Sequence, residues 1–221
     1  MNKLILLVLI SVVFSRNVIL IGDSRYVGMA VYLMNFPYST TTPYYGTGTN
    51  IRSTSPRTYN GDSFQVTAQV GAAAGTFTSS KDLLNSVNNQ LKGAAKGTNV
   101  LIWLGINNVN SDEATYKYAI GLAQKHSTLN FYVISITGVN GQKVPSISNK
   151  KVQSFNAKLK SKINSSRLPN LKYKSILNGN DVNTILVNGQ PVHILNYMTG
   201  DGLHYTKDGY IQLWRAMSTI F

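Results

Sequence analysis

Short strand-like runs, each closed by glycine or a polar turn, recur along the chain and constrain its fold more than any other feature. Asn17-Val18-Ile19-Leu20-Ile21 ends at Gly22, Phe64 to Val70 at Gly71, and Val100 to Leu104 at Gly105. Phe131 to Ile136 and Leu171 to Leu177 continue the series. The first and third of these, unbroken by polar residues after Asn17, suit strands covered on both faces, as in a parallel sheet. Segments of helical period separate them. Val27 to Met34 is one. Ser80 can cap a second from Lys81, in which Leu83, Leu84, Val87 and Leu91 recur at helical spacing until Gly93 and Gly97. Asp112 opens a third that runs to about His126, and the last spans about Lys207 to Ile220. This alternation predicts an α/β fold, a three-layer α/β/α sandwich around a mostly parallel five-stranded sheet of flavodoxin-like type. A polar stretch from Pro37 to Ser63 reads as a long surface loop, and Val187-Asn188-Gly189-Gln190 as a hairpin turn.

The chain has 221 residues and is 43% apolar, enough for one contiguous core. Met1-Asn2-Lys3 followed by the apolar run Leu4 to Phe14 reads as a secretory signal peptide covering residues 1–15, with residues 16–221 as the mature domain. The run is short of the roughly 20 apolar residues that a membrane span needs, so no stable span is expected after cleavage. The absence of cysteine excludes disulfides, thiolate nucleophiles and thiolate metal ligands. Lysine and arginine outnumber acidic residues 21 to 8, a net charge of +13. Loss of residues 1–15 removes Lys3 alone and leaves +12. Such a field favours anionic partners, acidic glycans or cell-wall polymers ahead of phospholipid surfaces, with nucleic acid not expected for an exported chain. From about Ser148 to Asn164, Val152, Phe155, Leu159 and Ile163 form one helical face, while Lys150, Lys151, Lys158, Lys160 and Lys162 fall largely on the other.

In open parallel sheets ligands gather beyond the carboxyl ends of the strands. Three of those ends carry chemistry: Gly22-Asp23-Ser24-Arg25, Gly71-Ala72-Ala73-Ala74-Gly75 and Gly105-Ile106-Asn107-Asn108. Asp201-Gly202-Leu203-His204 stands near the C-terminus. A serine hydroxyl needs an imidazole to take its proton, and the imidazole needs a carboxylate to fix its tautomer. Ser24, His204 and Asp201 can supply these parts. A tetrahedral intermediate also needs donors aimed at its oxyanion, which a glycine-turn N–H at Gly71 and the amide of Asn107 can provide. Of the other histidines, His126 falls late in a helix and His193 in an apolar strand-like context. Neither has a carboxylate at triad or metal spacing, so both read as structural, and nothing points to a metal or other cofactor.

These four segments, in this order, resemble the signature blocks of the SGNH (GDSL-type) hydrolases. The resemblance implies the same sandwich fold and a serine esterase without cofactor. It implies Ser24 as nucleophile and first oxyanion donor, Gly71 and Asn107 as second and third donors, His204 as base and Asp201 as its orienting partner. Two positions depart from the pattern. Asn108 stands where the third block usually ends in Asp, and Arg25 where Leu is common; Arg25 reads as an exposed helix residue or as a contact for an anionic substrate group. The substrate expected is a small acyl ester, acetyl among them, on a carbohydrate or cell-surface polymer. The alternatives are a lipid-directed esterase or lysophospholipase, expected to show an apolar acyl groove, and a non-catalytic glycan-binding relative; the Tyr38 to Tyr59 loop, with Tyr44, Tyr45 and Tyr59, reads as a wall of either enzyme's pocket or as an aromatic surface loop.

Overall fold

The computed structural model describes residues 15–36 and 50–221. The expected signal peptide lies outside them except for Ser15, as do Tyr44, Tyr45 and the rest of residues 37–49. In chain order the elements are β1 (Asn17–Gly22), α1 (Ser24–Met34), β2 (Asn50–Arg52), β3 (Arg57–Tyr59), β4 (Asp62–Gln69), α2 (Ala74–Ser79), α3 (Lys81–Gly93), β5 (Asn99–Trp103), α4 (Asp112–Lys125), β6 (Asn130–Ile134), α5 (Asn149–Ser165), β7 (Leu171–Lys174), β8 (Leu177–Asn178), β9 (Asp181–Val187), β10 (Gln190–His193) and α6 (Lys207–Ser218).

Five strands run parallel in the order β4-β1-β5-β6-β7, which is 2-1-3-4-5 in their sequence order. Helices α1 and α6 pack together, and α4 packs with α5, α2 with α3 and with α4, giving the three-layer α/β/α sandwich around a mostly parallel sheet. The central strands are apolar throughout because helices cover both their faces. Val18 to Ile21 and Val100 to Trp103 are buried without a break.

The sheet is wider than five strands. The segment read as a loop from Pro37 to Ser63 contains, in its described part, β2 and β3, which pair antiparallel with β4 and cover its outer edge. Each is three residues long and mostly polar, with Ile51 of β2 the buried exception, too short to show alternation. Helix α2 was also hidden, since Gly75 and the β-branched Thr76 and Thr78 disfavour helix. Its first turn is held by the Thr76 hydroxyl, which accepts from Ala73 N at 3.1 Å. The expected strand from Leu171 to Leu177 divides into β7 and β8, because Ile176 N donates to the Ser135 hydroxyl at 3.0 Å and the chain leaves the main sheet. β8, β9 and β10 form a separate antiparallel sheet. Its hairpin has Asn188 at φ 51° and Gly189 at φ 79°, the left-handed pair that a tight two-residue turn requires.

On α5 the Ser148 hydroxyl accepts from Lys151 N at 3.2 Å, and Val152, Phe155, Leu159 and Ile163 are buried. Lys150, Lys151, Lys158 and Lys160 are exposed. Lys162 is not a free surface charge. It pairs with Asp112 at 2.7 Å and with Glu113, in the acidic first turn of α4, and so pins the two helices together.

Helix α1 meets α6 at Gly28, where a Cβ would run into the ring and hydroxyl of the fully buried Tyr210. Gly28→Val is therefore expected to overpack this contact, costing roughly 1–3 kcal/mol and lowering Tm by about 2–4 °C per kcal/mol in a chain of this size. Thermal denaturation followed by circular dichroism checks it; an unchanged Tm would mean that the helices separate freely.

Candidate active site

β1 delivers the chain to the carboxyl rim of the sheet and α1 begins at once, so Ser24 is the first helical residue, one step after Asp23. Asp23 caps the helix. Its carboxylate accepts from Arg25 N at 3.0 Å, and its carbonyl takes the N–H groups of Tyr26 and Val27. Helix geometry leaves the Ser24 N–H without an intrahelical acceptor, at the positive end of the helix dipole. Asp23 and Ser24 are each 1% exposed. Burial pushes the Asp23 carboxyl up to about 6, against the opposing charge and N–H of Arg25.

Strand register brings two further segments to this rim. Gly22 lies level with Ala68 of β4 on one side and Trp103 of β5 on the other. Ser24, Gly71 and Asn107 follow those three residues by two, three and four positions. Gly71 has φ +77°, and the space where its Cβ would stand is open, so glycine is favoured by the backbone and not by packing. Asn107 donates one amide hydrogen to Ala72 O at 2.9 Å, tying the β5 exit to the β4 exit while its second hydrogen remains. Asn108, the departure from Asp, is exposed and serves through its backbone. Its N–H donates to Gly105 O and its carbonyl accepts from Ser111 N, both at 3.0 Å.

Asp201 and His204 occupy a tight turn before α6, closed by Thr199 N to His204 O at 2.9 Å and Gly202 N to Thr199 O at 3.0 Å. One carboxylate oxygen of Asp201 builds that turn, accepting from Leu203 N at 2.9 Å, His204 N at 3.0 Å and the Thr199 hydroxyl at 2.8 Å. The other oxygen meets His204 Nδ1 at 2.6 Å. Partial burial pushes the Asp201 carboxyl up, but the donors from His204, Leu203 and Thr199 outweigh it and hold the group well below the usual carboxylate range. An ionised carboxylate can only accept, so Nδ1 carries the proton and Nε2 the lone pair. Burial, aided by the charge of Arg25, holds the imidazole pKa below its ordinary value against the pull of Asp201.

Arg25 is neither an exposed helix residue nor placed to meet a substrate from solvent. It is fully buried. Nη1 donates to Thr137 O at 3.2 Å and to the Thr137 hydroxyl at 2.9 Å, and Nη2 to Gly138 O at 3.3 Å. The Thr137 hydroxyl is hydrogen-bonded to Tyr205 OH at 2.5 Å, one residue beyond His204, and Asn140 N donates to Gly202 O at 2.9 Å. The β6 exit thus ties the Ser24 turn to the Asp201–His204 turn. Thr137, Thr199 and Tyr205 escaped the sequence reading, and no spacing in the chain marks Thr137 as a neighbour of residues 112 and 68 positions away. His126 ends α4, its Nε2 buried without a hydrogen-bond partner among the described residues, and His193 is exposed on β10.

No family model matches the sequence, and no curated protein matches it. Solved structures do. A lipase/acylhydrolase from Enterococcus faecalis superposes with a TM-score of 0.56 at 14% identity, covering 92% of this chain and 94% of that one. A GDSL-like lipase from Bacteroides thetaiotaomicron gives 0.52 at 14% identity, covering 92% and 86%. An acetyl-xylooligosaccharide esterase from a Geobacillus gives 0.52 at 11% identity, covering 92% and 93%. At these identities the likeness concerns architecture, and the chain has the SGNH hydrolase fold.

The two charges around His204 act in opposite directions, which sets a test. In histidine NMR titrations the His204 imidazole should protonate below the ordinary value of about 6.5. Asp201→Asn should lower it further, because the carboxylate is what draws it up. A His204 that titrates above 7 in the wild-type protein would contradict this balance.

Proposed function

We propose that the chain is a secreted serine esterase that removes small acyl groups, acetyl foremost, from hydroxyls of a carbohydrate or cell-surface polymer. The observation that carries this reading is the His204 ring, fixed by Asp201 at 2.6 Å and held through the β6 exit to the helix that Ser24 begins. In this mechanism His204 Nε2 takes the proton of Ser24 Oγ as the oxygen attacks the acyl carbon. The N–H groups of Ser24 and Gly71 and the remaining amide hydrogen of Asn107 receive the charge on the carbonyl oxygen. Collapse of the intermediate expels the alcohol, which leaves with the proton from His204. Water then repeats the sequence on the acyl-enzyme and frees Ser24. Asp201 keeps the imidazole in the tautomer that this exchange requires.

Support for the substrate class comes from three sides. The apolar head at residues 4–14 fits export, and the surplus of basic residues fits an anionic polymer. One structure of the same fold is an esterase of acetylated xylooligosaccharides. A panel of acetylated sugars beside longer-chain esters separates this reading from a lipid-directed one.

A fluorophosphonate probe should label the wild-type protein at Ser24, and Ser24→Ala and His204→Ala should each remove most turnover of an aryl acetate while the fold persists. Wild-type turnover by Ser24→Ala would sink the assignment. Asn107→Ala should lower kcat on the order of 10²–10³-fold with little change in KM. A rise in KM at constant kcat would make Asn107 a ground-state binding residue instead.

The exposed lysines of α5 give a second expectation. Replacing Lys151, Lys158 and Lys160 with Gln should weaken kcat/KM for an anionic polymeric ester at low salt and spare a neutral aryl acetate, since such charges act over roughly 8–10 Å and are screened. Equal effects on both substrates would show the lysines to be a solvated face and no more.

A further inference from the structure

A guanidinium at the depth of Arg25 is costly unless its donors are met. Here Nη1 and Nη2 reach Thr137 and Gly138, Nε has no hydrogen-bond partner among the described residues, and the group forms no ion pair among them. Its Cζ lies over two aromatic rings, 5.6 Å from the Trp103 and 5.5 Å from the Tyr205 centroid. Cation–π contact and three acceptor contacts offset part of the desolvation. An apolar side chain would fill the same space without that cost, so the charge itself calls for an explanation.

We propose that Arg25 is a positioning residue for the reaction: its guanidinium clamps the β6 exit and the Tyr205 segment onto the turn that carries Ser24, and its charge acts on the neighbouring His204. This rests on the esterase reading above. Ser24 and His204 lie 180 positions apart in sequence, and each is carried on a short segment. The path Arg25–Thr137–Tyr205 joins them through two hydrogen bonds, at 2.9 and 2.5 Å, in an interior that excludes water. A displacement of the base by about 1 Å from its nucleophile costs on the order of 10²-fold in rate, so such a clamp matters to catalysis without touching the substrate.

The charge works in the same direction. A general base must be unprotonated, and a buried cation beside His204 opposes its protonation while Asp201 favours it. The charged groups that face His204 are Asp201 from its own turn and Arg25 from α1. Asp23 faces Arg25 from the α1 cap and acts on Tyr205, whose phenol burial keeps neutral. Removing the Arg25 charge therefore raises the His204 pKa and moves the acid limb of the rate profile to higher pH.

The test compares wild type with Arg25→Met, Arg25→Lys and Thr137→Val, reading kcat/KM against pH with an aryl acetate and the His204 titration by NMR. In Arg25→Met the acid limb and the His204 titration should move up together, and kcat should fall roughly 10- to 100-fold. Arg25→Lys keeps the charge and loses the planar fork, so the limb should stay while kcat falls. Thr137→Val, which cuts the path to Tyr205 and leaves the cation, should do the same. An unmoved His204 titration in Arg25→Met, or kcat within twofold of wild type in both Arg25→Lys and Thr137→Val, overturns the proposal. Should Arg25→Met fail to fold, the other two variants decide by that kcat criterion. If the wild-type protein neither hydrolyses esters nor reacts with fluorophosphonate, the esterase reading falls by itself, and the His204 titration in Arg25→Met against wild type and the charge-keeping Arg25→Lys still decides whether the cation acts on that ring.

Discussion

Parallel pairing of β1 with β4 on one side and β5 on the other, with Gly22 level with both Ala68 and Trp103, is the constraint from which the site follows. Parallel strands end together, and each must be followed by a turn before its helix starts. Three turns are thereby forced onto one rim within a few residues of one another. At the exit of β1, α1 starts one residue later, and whatever side chain opens that helix is set at its positive end. In this chain it is Ser24.

The remaining part of the site is built by local chemistry instead of by the sheet. Asp201 shows how little sequence this takes. One oxygen of its carboxylate gathers two backbone N–H groups and a hydroxyl, which is ordinary turn formation by an aspartate. The same turn places His204 three residues later with Nδ1 against the other oxygen. Turn and tautomer are thus fixed by one group. What the turn lacks is any local reason to sit near Ser24, and that is supplied from the β6 exit through Thr137 and Asn140.

Much of this was legible beforehand, and for a physical reason. Strands covered on both faces write themselves as unbroken apolar runs, so β1, β5 and β6 and their exits could be located from hydropathy alone, while β4 shows itself by the alternation of Phe64, Val66 and Ala68 with polar residues. The Asp–x–x–His turn is contiguous and equally plain. Illegible were the elements whose residues answer to partners far away. β2 and β3 are mostly polar because they cover an edge, and α2 is held by a threonine hydroxyl more than by helix propensity. Arg25 was misread for the same reason: a charged residue one place into a helix is ordinarily solvated. Its burial depends on Thr137, Trp103 and Tyr205, three positions that no local pattern connects to it.

The net charge also changes meaning once the fold is known. Of eight carboxylates, Asp62, Asp82, Asp112 and Glu113 are paired with Arg16, Arg52, Lys117 or Lys162, and Asp201 with His204. Asp23 is buried under α1. That leaves Asp181 and Asp208 outside ion pairs and the interior. The acidic residues are consumed in holding helices, termini and the Asp201–His204 turn, so they do little to relieve the exposed lysines of α5 and the basic residues elsewhere. A surface of this kind attracts anions from a distance but is screened within a Debye length, whereas His204 and Arg25 are buried and their interaction is screened much less. On the proposed reading, recruitment of a polymer would answer to salt and activation of the serine to the protonation of a single imidazole.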